Sequence, residues 1–293
     1  MTEWLRVRCT IEVTKKIDSL PSIAIEDGSV EQSNLNRSFF SSIVGDMNVL
    51  SIFNVERGYK KVDFYSSEIA RENSEFDYVL RFNVEKFDAR GINVSIKFFQ
   101  TKELTFQKSY RVNDSSLYPF LAHSIAYDIN KYMGADSVEW MKKKVIISRL
   151  TEAGRSEIVI ADYSLTYQKV ILRKKLLVFP KWANKEQNAF YYTSLSDDIP
   201  TLYKMDLKTG IAKKIISSDG MMICSDVSED ENSLLLTMAP NGQPDIYLFN
   251  NLTNKYKRLT TYSGIDVSGQ FMDDNKIAFI SNRLGYPNVF SKK

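Results

Sequence analysis

Two cysteines, one histidine, 12 glycines and seven prolines are all that this 293-residue chain holds of the residue types that most often mark special chemistry or special backbone. So few thiols and imidazoles leave a metal site of soft or borderline ligands without donors, and neither a metal nor another cofactor is expected. Scarce glycine and proline exclude collagen-like and low-complexity disordered chains. Cys9 and Cys224 fall in different halves of the chain and read as two unpaired, partly buried thiols. Long apolar runs are missing too. No stretch approaches the roughly 20 residues that span a bilayer, so direct membrane insertion is not expected. Met1–Arg8 lacks the apolar core of a signal peptide, so either the chain is cytosolic or its true start and leader lie elsewhere. Neither sign of charge dominates: 39 basic and 36 acidic residues leave a net charge of +3. The basic clusters, Lys142–Lys144 and Arg173–Lys175, are short and not interleaved with aromatics, so no nucleic-acid partner is expected.

Catalytic signatures are also wanting. The chain has no G-x-S-x-G elbow, no G-x-G-x-x-G and no Walker loop. His123 lies two positions from both Leu121 and Ile125 on a predicted helix, which turns it away from their face and toward solvent. Without a positioned nucleophile it makes no triad. The acid clusters Asp197-Asp198, Glu229-Asp230-Glu231 and Asp273-Asp274 recur between predicted strands and read as turn formers rather than paired carboxylates. Phe98-Phe99 and Tyr191-Tyr192 read as strand neighbours pointing to opposite sides, with one of each pair in a core. No catalytic residue is assigned, and a binding module remains.

What the chain does have is a period. Apolar runs at Val145–Ile147, Ala189–Tyr191, Leu234–Leu236 and Ile277–Phe279 step by 44, 45 and 43 residues between their middle positions. A second anchor, Ile158, Leu202, Ile246 and Val289, repeats in phase, followed four residues later by Asp162, Asp206 and Asn250 in the first three copies. Ile171, Ile215 and Leu259 form a third anchor, and Trp182, Val227 and Phe271 a fourth. Three to four short apolar runs per 40–45 residues is the spacing of a β-propeller blade.

Residues 10–133 lack that period and read as strands alternating with helices. Thr10–Val13 alternates, and Ser22–Ile25 is a short apolar strand. Ser33 or Asn34 can cap a helix with Leu35, Phe39, Ile43, Met47 and Leu50 on one face. Runs at Tyr78–Val84, Ile92–Phe99 and Leu104–Val112 suggest an antiparallel meander. A second helix starts near Asp114, tolerates Pro119 in its first turn, carries Leu117, Leu121, Ile125 and Ile129, and ends at Gly134. The expected fold class is α+β: a small two-layer α/β domain over residues 10–134, with both helices on one sheet face. Ala135–Lys144 is the hinge, and an incomplete propeller of three blades and half a fourth occupies 143–293. The last blade is expected to leave a face open, with Ile277, Phe279 and Val289 among the residues meant for neighbouring blades.

The repeats resemble those of the TolB family of the Tol-Pal system, whose blades read W-S-P-D-G-x-x-I-A-F-x-S-x-R-x-G-x-P-x-I-Y-x-x-D and end near R-x-L-T. Ile277–Phe290 (IAFISNRLGYPNVF) carries most of one such unit; Gln243–Tyr247, Lys257–Thr260 and Pro180–Trp182 carry parts of others. The S-P-D-G turn is degenerate at Ala183–Glu186, Ser228–Glu231 and Met272–Asn275. The α/β domain in front also looks like that family's and separates it from other propellers. By resemblance the chain is a periplasmic fragment, since the family has six blades and a cleaved leader. The resemblance implies a non-enzymatic relay between TolA and the lipoprotein Pal that supports outer-membrane integrity and constriction at division. TolA would bind the extended segment Thr10, Ile11, Glu12, Val13 and Thr14, which suits strand addition. Pal would face the loops between blades, Ser218, Asp219, Gly220, Met221 and Ser263, Gly264, Ile265, Asp266. The alternative is the propeller of a prolyl-oligopeptidase-like hydrolase without its catalytic domain.

Overall fold

The computed structural model describes residues 20–273 and 275–293, and the chain divides into two compact units between Met141 and Lys142. Cys9, the segment Thr10–Thr14 and Asp274 lie outside the described residues. No helix among the described residues is long and apolar enough to cross a membrane.

The first unit contains β1 (Ser22–Asp27), α1 (Asn34–Leu50), β2 (Asn54–Val55), β3 (Lys60–Lys61), β4 (Tyr78–Lys86), β5 (Ile92–Gln100), β6 (Glu103–Val112) and α2 (Tyr118–Tyr132). The expected order is present, with two minimal strands added. β4, β5 and β6 form the antiparallel meander, and β1 lies parallel to β4, giving the order β2-β1-β4-β5-β6 with β3 also on β1. Ser33 caps α1 by accepting from the backbone of Asn36 at 3.3 Å. α1 buries Phe39, Ile43, Met47 and Leu50, four of the five expected positions, and Leu35 is half-buried. Pro119 sits in the first turn of α2, and Gly134 follows that helix at φ 69°, a left-handed stop.

Both helices cover the sheet face carrying Phe82, Phe98 and Phe106. Phe39 meets Phe82 edge-on at 5.1 Å, and Tyr132 packs on Phe106 at 5.4 Å. Near β1 and β4 the opposite face is covered as well. Ala24, Val79 and Phe99 pack there against Ile69 and Phe76 from the segment between β3 and β4. Phe98 and Phe99 are therefore both buried, and the expectation of one core residue in that pair is corrected. Polar groups pin the covering segment. The buried guanidinium of Arg81 donates to Glu26 at 2.8 Å and to the carbonyls of Asp63, Ser66 and Glu68 at 3.1, 2.8 and 2.6 Å. Glu26 also accepts from the Ala70 backbone and the Asn73 amide at 2.8 and 2.9 Å.

His123 is corrected too. It is fully buried, with Nδ1 2.8 Å from Oδ2 of Asp46 on α1. α2 packs against both the sheet and α1, so its buried arc is wider than the stripe of Leu121, Ile125 and Ile129.

The second unit contains β7 (Val145–Glu152), β8 (Arg155–Ala161), β9 (Gln168–Lys175), β10 (Leu177–Trp182), β11 (Ala189–Ser194), β12 (Thr201–Asp206) and β13 (Ala212–Ser217). It continues through β14 (Met222–Val227), β15 (Ser233–Met238), β16 (Asp245–Asn250), β17 (Lys255–Arg258), β18 (Asp266–Asp273), β19 (Lys276–Ser281) and β20 (Asn288–Lys292). These strands make four antiparallel sheets of three, four, four and three strands, an incomplete propeller. The sheets are offset by one strand from the sequence copies: Trp182, Val227 and Phe271 lie on β10, β14 and β18, each the first strand of the following sheet. The last sheet therefore has three strands.

Neighbouring sheets bury one another's faces. Phe190, Tyr192 and Ile158 share one intersheet core; Tyr191, Leu202, Leu234 and Phe249 share the next; Leu235, Ile246, Ile277 and Phe279 share the third. Tyr191 and Tyr192 thus both sit in cores, correcting the second paired expectation. Ile277 and Phe279 pack back on the preceding sheet, whereas Val289 is 75% exposed. Cys224 is buried, and burial pushes its thiol up to about 12.

The Asp/Asn signal after the second anchor is a turn lock. Asp206 accepts from the backbone of Lys208 and Thr209 at 2.9 and 2.7 Å, and Asn250 from Leu252 and Thr253 at 3.0 and 2.8 Å. Asp162 likewise accepts from Ser164 and Tyr167 at 2.8 and 2.6 Å. The acid clusters divide their work. Asp230 holds its own turn through Asn232 at 3.0 Å, while Glu229 and Glu231 pair with Lys185 and Lys204 of the preceding sheet.

Candidate docking surface at one end of the repeats

Strand register brings five connections to one end of the repeat unit. Ser194 lies opposite Thr201, Thr201 opposite Ser217, Met222 opposite Met238, and Asp266 opposite Ser281. Segments 195–200, 218–221, 239–244, 259–265 and 282–287 are the longer loops at that end, beside the short turns at 153–154 and 176. Both loops singled out in the sequence are among them.

Each is held by its neighbours. The Ser218 amide donates to the Pro200 carbonyl at 3.2 Å, and the Ala239 amide to the Met221 carbonyl at 3.1 Å. Gly220 has φ 74°, and a Cβ there would lie 2.4 Å from the Ala239 carbonyl oxygen, so only glycine fits. Gly264 is less constrained: a Cβ would lie 2.3 Å from Asn282 Oδ1 and 2.4 Å from the Tyr262 ring, and both side chains would have to shift. The Ile265 amide donates to Asn282 Oδ1 at 2.8 Å, the Asp266 amide to the Pro244 carbonyl at 3.1 Å, and the Gln243 side chain to the Gly264 carbonyl.

Asp266 serves this loop from inside. It is fully buried, and both its oxygens accept from Arg283 Nη2 at 3.0 Å. Arg283 also donates Nε–H to Ser281 at 2.9 Å and lies over the rings of Tyr262, Phe279 and Phe290 at 5.2, 5.1 and 4.8 Å. One sheet back, buried Asp245 accepts from Arg258 and from Thr260 Oγ1, the latter at 3.0 Å. Two neighbouring sheets therefore anchor this end with a buried Asp paired to an arginine that reaches the surface.

The surface so fixed is apolar at its tips. Met221 and Ile265 are exposed, as are Leu195 and Ile199 between β11 and β12. Leu284 and Tyr286, between β19 and β20, are 62% and 66% exposed. Ser263 and Asp219 are exposed beside them, and Ser218 is half-buried. Leu195, Ile199, Leu284 and Tyr286 were missed in the sequence, where only the connections between copies were considered. Their signal is apolar residues inside turns that otherwise favour polar ones. The acid cluster at this end is partly engaged: Tyr203 donates to Asp197 at 2.9 Å, and burial together with that carboxylate raises the Tyr203 hydroxyl. Among the described residues, no group of three His, Cys, Asp or Glu side chains could hold a metal. The arrangement is a rigid, largely uncharged rim, suited to contact rather than reaction.

Comparison with known proteins adds the following. The family description "TolB beta propeller domain" matches residues 142–293. Over 292 residues the chain is 43% identical to a Tol-Pal system protein TolB of Wolinella succinogenes, covering 97% of this chain and 69% of that one. A Tol-Pal system protein TolB of Campylobacter jejuni is 43% identical over 284 residues, covering 96% and 67% of the two chains. The crystal structure of TolB from Acinetobacter baumannii superposes with a TM-score of 0.73 at 21% identity, covering 94% of this chain and 69% of that one, a likeness of fold.

Proposed function

The chain belongs to the TolB family of Tol-Pal system proteins, a family of non-enzymatic components, and on that premise we propose that it is a periplasmic scaffold joining two partners. Residues 10–134 serve as the TolB-like N-terminal domain and 143–293 as part of the propeller. Thr10–Thr14 binds a TolA-like inner-membrane protein by strand addition. The loop end of the repeats docks a Pal-like peptidoglycan-associated lipoprotein. Linking the two supports outer-membrane integrity and constriction at cell division.

One observation carries the docking reading. Ser218–Met221 and Ser263–Asp266 are locked in place by neighbouring loops and lie on the same end as exposed Met221, Ile265, Leu284 and Tyr286. A preorganised apolar patch binds without a large ordering cost.

Pull-down against the TolA and Pal of the same organism tests both contacts. Deleting Thr10–Thr14 should abolish TolA capture and leave Pal capture intact. Met221→Asp with Ile265→Asp should weaken Pal capture at least tenfold, about 1.4 kcal/mol, and spare TolA. Pal capture unaffected by both aspartates removes the loop end as the docking surface.

A further inference from the structure

The segment between β3 and β4 covers the second face of the N-terminal sheet only in part. Beyond it, β4, β5 and β6 present an ordered grid of polar side chains. Register sets Asn83 beside Ser95 and Ser95 beside Ser109; Glu85 stands beside Asn93 and Asn93 beside Arg111; Lys97 stands beside Gln107. Strand alternation puts all of them on the face opposite the helices. Gln107, Ser109, Arg111 and Glu85 are exposed, and Asn93, Ser95 and Lys97 are half-buried.

Charge indicates what could occupy this grid. Lys97 Nζ donates to the Phe64 carbonyl at 2.9 Å and lies over the Phe64 ring at 4.9 Å. The Arg111 guanidinium lies 4.4 Å over the Phe87 ring, and Glu85 accepts from the Asn83 amide at 2.7 Å. Each charge is engaged locally, which leaves amides and hydroxyls as the groups on offer, with Ser95 and Ser109 hydroxyls 2.8 Å apart at the centre. Such a surface, with one exposed carboxylate and one exposed guanidinium at its edge and none at its centre, complements a neutral partner rich in hydroxyl and amide groups.

Two further observations separate it from an ordinary solvated sheet face. Asn83 is almost fully buried, and its Oδ1, enclosed beneath the face beside Ser95, has no hydrogen-bond partner, so the floor of the grid is not fully satisfied from within. Aromatic rings flank the grid: Tyr65, 71% exposed, next to Phe64 at the Lys97 end, and at the other end Phe87, 39% exposed and covered on one face by Arg111. Rows four residues apart along β5 span about 14 Å, room for two or three pyranose rings. Aromatic faces for the apolar side of a sugar, with amides and hydroxyls between them, are the two contacts that a neutral glycan needs.

We propose that this face of the N-terminal sheet, between Tyr65 and Phe87, binds a neutral glycan chain. The sugar stacks on Tyr65, and its hydroxyls replace water on Ser109, Gln107 and Asn93. An extended polar peptide is the competing occupant.

Titration of the purified chain with chitotetraose and with cellotetraose, followed by calorimetry and by amide shifts of β5 and β6, tests this. Expected is saturable binding of at least one sugar, weakened about tenfold or more by Tyr65→Ala and by Ser109→Leu, and retained by Tyr65→Trp. Preference for chitotetraose would add an acetamido contact. Both substitutions lie on the surface, and an unchanged melting curve certifies their folds. Failure of both sugars to shift β5 and β6 at millimolar concentration overturns the proposal. So does binding indifferent to both Tyr65→Ala and Ser109→Leu, or displacement of the sugar by a Ser/Asn-rich peptide that binds more tightly.

Discussion

In the N-terminal unit, buried charges secure one irregular segment over a sheet; in the repeats, buried charges anchor loops that recur from sheet to sheet. Arg81 and Glu26 hold a covering segment with no counterpart among the other described residues. Asp245 with Arg258 and Asp266 with Arg283 stand at the same end of successive sheets, on different strands. The same contrast holds for the apolar cores. The first unit covers its sheet with helices and a strap, while the repeats cover each sheet with the next. A unit built by one long-range arrangement should fail as a whole, and a unit built by neighbour contacts should fail locally.

Four substitutions or conditions would break or sharpen that contrast, taken from the largest effect down. Arg81→Met strands the buried Glu26 carboxylate and releases three carbonyls, and should cost about 3–5 kcal/mol. Denaturant melts should show the N-terminal unit unfolding early while β7–β20 keep their transition; joint loss would refute separate cores. Leu235→Ala empties a site shared by Ile246, Ile277 and Phe279 and should cost about 2–5 kcal/mol. Hydrogen exchange should rise in β14–β20 and leave β7–β9 protected. Gly220→Ala forces a left-handed alanine onto the Ala239 carbonyl and should cost about 1–3 kcal/mol, seen as a lower melting temperature of the repeats alone.

The smallest effect is acid-dependent. Hydrogen bonds from the Thr209 backbone and hydroxyl hold the Asp206 carboxyl below the usual carboxylate range. A depressed folded-state value means stabilisation that is present above the unfolded value and fades as pH falls through the folded one. The Thr209 amide should therefore exchange faster, relative to its intrinsic rate, only in that acid window, and Asp206→Asn should flatten the profile.

The repeats were legible because the inner strands of the two middle sheets are buried on both faces. Phe190, Leu235 and Ala278 recur at the same place, and a short apolar run survives even where the S-P-D-G turn has decayed. Helix spacing exposed α1 and α2 for a similar reason, since Phe39, Ile43 and Met47 face one sheet. The rest depended on contacts that no local pattern records. His123 looked exposed because the stripe of Leu121 and Ile125 reports the sheet and not the second helix, where Asp46 waits. Nothing in the sequence singled out Arg81, because the segment that covers it has no period. At the candidate docking surface, Gly220 and Gly264 were visible as turn residues, but Leu284 and Tyr286 were lost within the repeat motif that contains them.

The one-strand offset between sequence copies and sheets has a mechanical side. β10 continues from the copy that supplies β9, yet it is hydrogen-bonded to β11 of the next. Two sheets can therefore part at their apolar faces with every ladder intact, but two sequence copies cannot: separating them must also shear β10 from β11. Each copy is stitched to its successor, and a pull that divides the copies has to break hydrogen bonds first.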